Sequence, residues 1–278
     1  MKKTRKKITN GIIFIIVAVY AVVSVYTLIW VIIQSFKSES QFLQSIWSLP
    51  SSLHFENYQT AFTTGKLGLY FFNTVKNTAA TLVVDLVLIT LAAFAFSKLK
   101  MKFKKFFYYF ILINMLIPTP IILLPMYLQV LNMNIQNTLA AIVFPYYQGF
   151  APLGLVLATN YFNNIPDEVI EAARIDGCNT PKVLISIVVP LAKPILTTLA
   201  ILGGMNAWNE YMWSLTSISN TSRYTLSVGI ATLRDQTSIL GYTPVFAALS
   251  ASAIVFVILF LCAQRTFVES ITAGAVKG

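Results

Sequence analysis

Apolar residues in this chain gather into six long runs, near 11–34, 74–97, 106–128, 138–160, 190–215 and 243–263, with polar segments between them. Each run is long enough to cross a hydrocarbon core of roughly 30 Å as a helix of about 20 residues. Regular apolar/polar alternation is absent. An open strand in lipid would also leave its backbone N–H and C=O groups without partners, so the pattern predicts helices. The expected fold class is an all-α integral membrane protein with six transmembrane helices, forming a single transmembrane domain over residues 1–278.

Composition supports this. The chain is 56% hydrophobic and 11% charged, with a mean hydropathy of +0.71. Soluble domains carry about 25% charged residues, so this chain has too few to cover a water-facing surface. Cys178 and Cys262 provide no disulfide framework, and the single His54 excludes a His-rich metal site. The first run follows Lys2, Lys3, Arg5, Lys6 and Lys7. A secretory signal peptide has a similar start, but its apolar core is only about 7–15 residues and ends at small residues. Here the run is longer and ends in Gln34-Ser35-Phe36-Lys37, which predicts an uncleaved span.

The net charge is +10, and its distribution points to membrane orientation rather than nucleic-acid binding. With the N-terminus cytosolic, fifteen basic residues fall on the inside, including Lys98, Lys100, Lys102, Lys104 and Lys105. Five fall outside: Lys37, Lys66, Lys76, Arg223 and Arg234. Lys and Arg are favoured in cytoplasmic loops, so both termini of this multi-pass protein are expected in the cytosol. Segment 163–189 then becomes a cytosolic loop. The loops 35–73 and 216–242 lie outside; the first carries turn and short-helix signals at Trp47-Ser48-Leu49-Pro50 and Asn57-Tyr58.

The cytosolic loop holds a short polar helix, roughly 166–176. Asn164 is suited to cap it, Pro166 suits its first turn, and Asp167 and Glu168 lie where the helix dipole favours negative charge. Gly177 is a left-handed stop. Ala172 and Ala173 would let another backbone come close, while Glu171, Arg174 and Asp176 supply charge. Physical chemistry alone leaves two readings open: a docking helix, or an amphipathic helix lying on the headgroups.

Glu171-Ala172-Ala173, Gly177 and Val189-Pro190-Leu191 together resemble the EAA loop of binding-protein-dependent ABC importer permeases, in particular the maltose-type sugar branch. The last segment, Thr272-Ala273-Gly274-Ala275-Val276-Lys277-Gly278, is similar to the tail of that branch's second permease subunit, though Glu269-Ser270 departs from the pattern before it. Trp208-Asn209-Glu210-Tyr211-Met212-Trp213, Tyr224-Thr225-Leu226 with Gly229, and Asn57-Tyr58 fit the same family. The resemblance implies a maltose-type permease fold in which the loop helix is a coupling helix seated on a cytosolic ATPase. Glu171, Ala172, Ala173, Arg174, Asp176 and Gly177 would be its contact and hinge positions, and Lys277 and Gly278 would also reach the ATPases. It further implies an unlike second permease, two ATPase subunits and an extracytoplasmic sugar-binding protein as partners.

The chain itself is not expected to be catalytic or to bind a cofactor. It has no phosphate-cradling G-x-x-x-x-G-K-[ST] loop: Gly65-Lys66 lacks the upstream Gly and is followed by Leu67. ATP and Mg would be used by the partner ATPase. Asp85 in the second span reads as a structural hydrogen bond to a neighbouring span, because an intramembrane carboxylate is costly unless it is paired. Glu210, beside Trp208, Asn209 and Tyr211, reads either as part of a sugar path or as a snorkelling acid in an interfacial aromatic belt. Pro118, Pro120 and Pro125 are expected to interrupt the third span. Pro145 and Pro152, with Gly149 and Gly154, are expected to interrupt the fourth. The function expected is import of a di- or oligosaccharide by alternating access. The alternative is a self-sufficient ion-coupled transporter or channel, for which repeat-related halves are missing.

Overall fold

A computed structural model describes the backbone of residues 2–275 and the side chains of residues 9–144, 149–258 and 261. The apolar runs form helices, and no strand occurs among the described residues. In chain order the helices are α1 (Lys2–Ser35), α2 (Glu39–Gln44), α3 (Glu56–Thr63), α4 (Leu67–Lys98), α5 (Lys104–Ile113), α6 (Thr119–Asn132), α7 (Leu139–Asn163), α8 (Asp167–Ile175), α9 (Thr180–Val183), α10 (Val189–Leu191), α11 (Lys193–Trp208), α12 (Met212–Ser217), α13 (Leu226–Asp235), α14 (Thr237–Leu240) and α15 (Thr243–Ala275).

Thr9–Ser35 and Leu67–Lys98 are long and apolar enough to cross a membrane, with mean hydropathies of 2.8 and 2.3. Two bent pairs pass the same test when each is taken as one span: Lys104–Leu116 with Thr119–Asn132, bent by 107°, and Thr180–Leu191 with Lys193–Trp208, bent by 80°. The first bend falls where Ile117 (φ −92°, ψ 115°) and Pro118 (φ −60°, ψ 131°) are extended. A proline disfavours helical backbone in the residue before it, so the third run breaks here as expected. In the fourth run the expectation fails, because α7 is helical without a break. Gly154 serves space instead: a Cβ there would collide with Ile89, whereas one on Gly149 would meet nothing within 4 Å. The fifth run is also shorter than expected. Its helix stops at Trp208, and residues 209–211 separate it from α12.

Two compact units divide the chain: Met1–Gly68 with Gly229–Phe260, and Leu69–Val228 with Leu261–Gly278. In the first unit, the apolar side chains of α1 from Ile12 to Ile29 stand exposed, which calls for a covering of hydrocarbon or protein. The end of α1 is held firmly. Asn57 Nδ2 donates to the Ser35 and Lys37 carbonyls, both at 2.8 Å, satisfying acceptors left over by the end of the helix. Asn57 Oδ1 accepts from Thr243 Oγ1 at 3.0 Å. The Tyr58 hydroxyl lies 2.8 Å from Ser35 Oγ and 2.7 Å from Ser250 Oγ. Glu39 Oε2 accepts from the Tyr242 and Thr243 N–H groups at the start of α15. Lys37 is fully buried; its Nζ donates to the Ser45 carbonyl, and burial pushes its pKa below the usual lysine value.

The Asn57-Tyr58 pair seen in the sequence is therefore the knot of this unit. Asn57→Leu strands the buried Ser35 and Lys37 carbonyls, each worth about 1–3 kcal/mol, and leaves the Thr243 hydroxyl only Glu39 Oε2 at 3.4 Å. A fall in the thermal midpoint of the detergent-purified chain is expected, and an unchanged midpoint would remove Asn57 from that role.

In the second unit, α4, α7, α8 and α11 share a core that includes Ile89, Phe94, Phe150, Phe162, Val188 and Leu199. Ala93 and Ala158 are fully buried in it, and Gly203 lies against the Phe150 ring. Small residues at such places let helix backbones approach closely. Thr74 Oγ1 accepts from the Leu226 N–H, and Asn73 donates to the Ser222 and Tyr224 carbonyls, so the Tyr224-Thr225-Leu226 motif is an anchor for the segment before α13.

Candidate functional site

The polar loop helix forms as α8, within a residue of its expected bounds at either end. Its N-cap is Pro166, which has no side-chain acceptor to offer. Asn164 does not cap it. That residue closes α7 instead, and its Nδ2 donates back to the Asn160 carbonyl at 3.0 Å. The N-terminal anchor comes from a different helix. Lys98, in the last turn of α4, has a nearly buried side chain whose Nζ donates to the Ile165 carbonyl and to Asp167 Oδ1, both at 2.6 Å. The hydrogen bond and the charge of Lys98 hold the Asp167 carboxyl below the usual carboxylate range.

At its other end α8 closes in a Schellman motif. The Cys178 N–H donates to the Ala173 carbonyl at 2.9 Å and the Gly177 N–H to the Arg174 carbonyl at 3.0 Å, with Gly177 at φ +82°. Cys178 also packs against the core below, supplying the apolar contact that often accompanies this motif. Asn179 then caps α9 by accepting from the Lys182 N–H.

Between these anchors the faces of α8 differ. Ile170 and Ala173 are buried in the core of the second unit. Glu168, Glu171, Ala172 and Ile175 are exposed, Ile175 at 86%. Their spacing (i, i+3, i+4, i+7) puts them on one face. Arg174, Asp176 and Gly177 are exposed as well. The expectation that both alanines receive another backbone is corrected: Ala172 faces out, while Ala173 is a core residue. Lys277 and Gly278 lie outside the described residues.

A second feature sits at the two helix breaks. A cavity of about 780 Å³ is bordered by Asn114, Ile117 and Thr119 at the bend between α5 and α6, and by Met205, Asn206 and Asn209 at the end of α11. Glu210 and Tyr211 also line it. Trp208 does not; it is buried, with its ring edge-on to Phe71 at 5.7 Å. Glu210 is no snorkelling acid. Its Oε1 accepts the Trp213 N–H at 2.7 Å and its Oε2 the Ser214 N–H at 2.8 Å, so it caps α12. Trp213 is buried and its Nε1 donates to the Ala141 carbonyl. Sequence reasoning missed Asn114 and Asn206. An asparagine one turn before Pro118 was the available signal, because a polar side chain beside a helix break is apt to face the gap. The expected partner of Asp85 is also missing: the residue is buried, and its Oδ2 has no hydrogen-bond partner among the described residues.

Residues 86–272 match the family model described as "Binding-protein-dependent transport system inner membrane component". The chain belongs to that family. Whole-length relatives agree. The arabinooligosaccharides transport system permease protein AraQ of Halalkalibacterium halodurans is 31% identical, covering 100% of both chains. The trehalose/maltose transport system permease protein MalG of Thermococcus litoralis is 30% identical over 99% of each. Among solved structures, a chain of a bacterial ABC transporter involved in import of the acidic polysaccharide alginate superposes with a TM-score of 0.80 at 24% identity. That match covers 94% of this chain and 97% of the other, and it establishes the shared permease fold.

Proposed function

We propose that this chain is one of two unlike permease subunits of an ATP-driven sugar importer that carries a di- or oligosaccharide into the cytoplasm by alternating access. The observation that carries this reading is whole-length kinship with permeases named for arabinooligosaccharides and for trehalose/maltose. Six spans with both termini cytosolic put α8 inside the cell. There its exposed face of Glu171, Ala172 and Ile175 meets one of two ATPase subunits, which bind ATP and Mg. An extracytoplasmic sugar-binding protein delivers cargo on the opposite side.

The way α8 is mounted supports this reading. Closure of the ATPases displaces the helix. Lys98 passes that displacement to α4, while Ile170 and Ala173 pass it to the core formed by α7 and α11. The permease pair then changes from inward- to outward-facing, and release of ADP and phosphate resets it. Asn209, Glu210 and Tyr211 belong to the path side of this machine, Glu210 as the residue that fixes the wall rather than as a ligand. Trp208 supports that wall from behind.

The test uses the assembled complex in proteoliposomes with labelled neutral trisaccharides. Glu171→Lys reverses a charge on the exposed face without touching the core. The complex should still co-purify, but ATP-driven uptake should fall severalfold. Full uptake in that variant would count against the coupling role, and sugar uptake by this chain without any ATPase would sink the importer reading.

A further inference from the structure

We propose that the cavity at the two helix breaks is a carbohydrate subsite contributed by this subunit and built for an uncharged sugar. The inference rests on the importer reading above and adds to it a place and a charge preference. Three observations carry it.

The first is the backbone. Non-helical chain at membrane depth persists only where protein buries it or where it lines a wet cavity. Here two separate breaks, Ile117–Pro118 and Asn209–Tyr211, border the same space. At about 780 Å³ it falls in the size range of small-ligand sites, roughly 300–1,000 Å³.

The second is the kind of polar group present. Asn114, Asn206, Asn209 and Thr119 offer carboxamides and a hydroxyl, which both donate and accept, as sugar hydroxyls do. Asn114 and Asn209 each turn an amide N–H back onto their own helix, to the Ile111 and Met205 carbonyls, and this fixes the direction of the side chain. Met115, Met205 and Met212 add adaptable apolar surface for the C–H faces of a sugar ring.

The third is charge. Among the described residues, no Lys or Arg lines the cavity, and Glu210 is the one acidic residue there. Both Glu210 oxygens already hold backbone N–H groups of α12. An acidic sugar would find no cation and would face a carboxylate; leaving a charge unpaired in such a site is costly. The solved alginate importer shares the fold at 24% identity. Cargo charge here is set by this cavity's own residues.

The experiment uses the complete complex, with Cys178 and Cys262 replaced by Ser and a reporter introduced as Met205→Cys or, in a second version, Asn206→Cys. Arabinotriose, maltotriose, raffinose and trigalacturonate are compared in two readouts. One is stimulation of ATP hydrolysis in the presence of the binding protein, measured on the parent complex without a reporter. The other is protection of the reporter cysteine from a methanethiosulfonate reagent, with sugar added directly. Stimulation by a neutral trisaccharide, and at least a roughly tenfold slower formation of the mixed disulfide (with release of methanesulfinate) with that sugar but not with trigalacturonate, is the expected result; one misplaced group in a binding site commonly changes recognition by that much. Stimulation without protection at either reporter overturns the subsite while leaving the importer reading intact. Equal protection by trigalacturonate overturns the charge preference. Failure of every sugar to stimulate hydrolysis sinks the importer reading and the subsite with it.

Discussion

Gly177→Val is expected to leave the protein folded in the membrane and the complex assembled, yet to cut ATP-driven uptake more than any single exposed change on α8. Gly177 stands at φ +82°, and a Cβ there would meet no neighbour within 4 Å. The penalty is therefore conformational and not a clash. An L side chain in the left-handed region costs about 1–3 kcal/mol, and a β-branched one lies at the upper end. At about 2 kcal/mol the closed Schellman end of the helix loses roughly thirtyfold in population relative to an unwound one. With that end unwound, the Cys178–Ala173 and Gly177–Arg174 hydrogen bonds open, and the outer face loses its fixed register on the core. Gly177→Asn is the informative control, since Asn tolerates positive φ. It should retain most of the transport that Val removes. Equal transport by the Val variant and the parent would show that the stop does not matter.

Lys98→Met should have the second large effect. Methionine keeps an apolar stem of similar length but strands the Ile165 carbonyl, a loss of about 1–3 kcal/mol for a buried acceptor. Asp167 is exposed, so its half of the ion pair adds little at neutral pH. The predicted phenotype is uncoupling: ATP hydrolysis continues in the complex, but uptake per ATP falls. Lys98→Arg should restore it in part, because a guanidinium also donates to both acceptors. The pH dependence follows from the lowered Asp167 pKa. A carboxyl depressed in the folded state adds stability that is fully present above its unfolded pKa of about 4 and is lost as pH falls through the lower folded value. The tether should therefore be insensitive to cytosolic pH across the neutral range and weaken only in strong acid. Coupling that changed between pH 6 and 8 in the parent but not in Asp167→Asn would contradict this assignment.

Much of the architecture was legible because its signals are local. Long apolar runs announce helices whatever their neighbours do, and Asp167, Glu168 and Gly177 mark the ends of α8 by rules that act within a single turn. What the sequence hid depends on partners distant in the chain. Pro118 announces a break but not a 107° bend, since the angle is set by what the two halves pack against. Pro152, Gly149 and Gly154 look like a break and are not one, because Gly154 makes room for Ile89 of another helix. The paired alanines of α8 look equivalent in one dimension, and only membership of the core that also holds Phe162 and Val183 separates Ala173 from Ala172. Glu210 reads as a ligand beside aromatic residues until α12 is seen to start after it. Lys98 was counted toward orientation alone, because nothing along the chain reveals that its ammonium reaches a carbonyl in the 164–166 turn.

The Tyr58 hydroxyl, shared between Ser35 and Ser250, has a consequence for the exposed apolar face of α1. It moors the foot of α1 to α15, so a tilt imposed on either helix by surrounding lipid or a companion subunit must be felt by the other. With Asn57, it stays this mast at its base, leaving the upper length free to be gripped without drifting from its station.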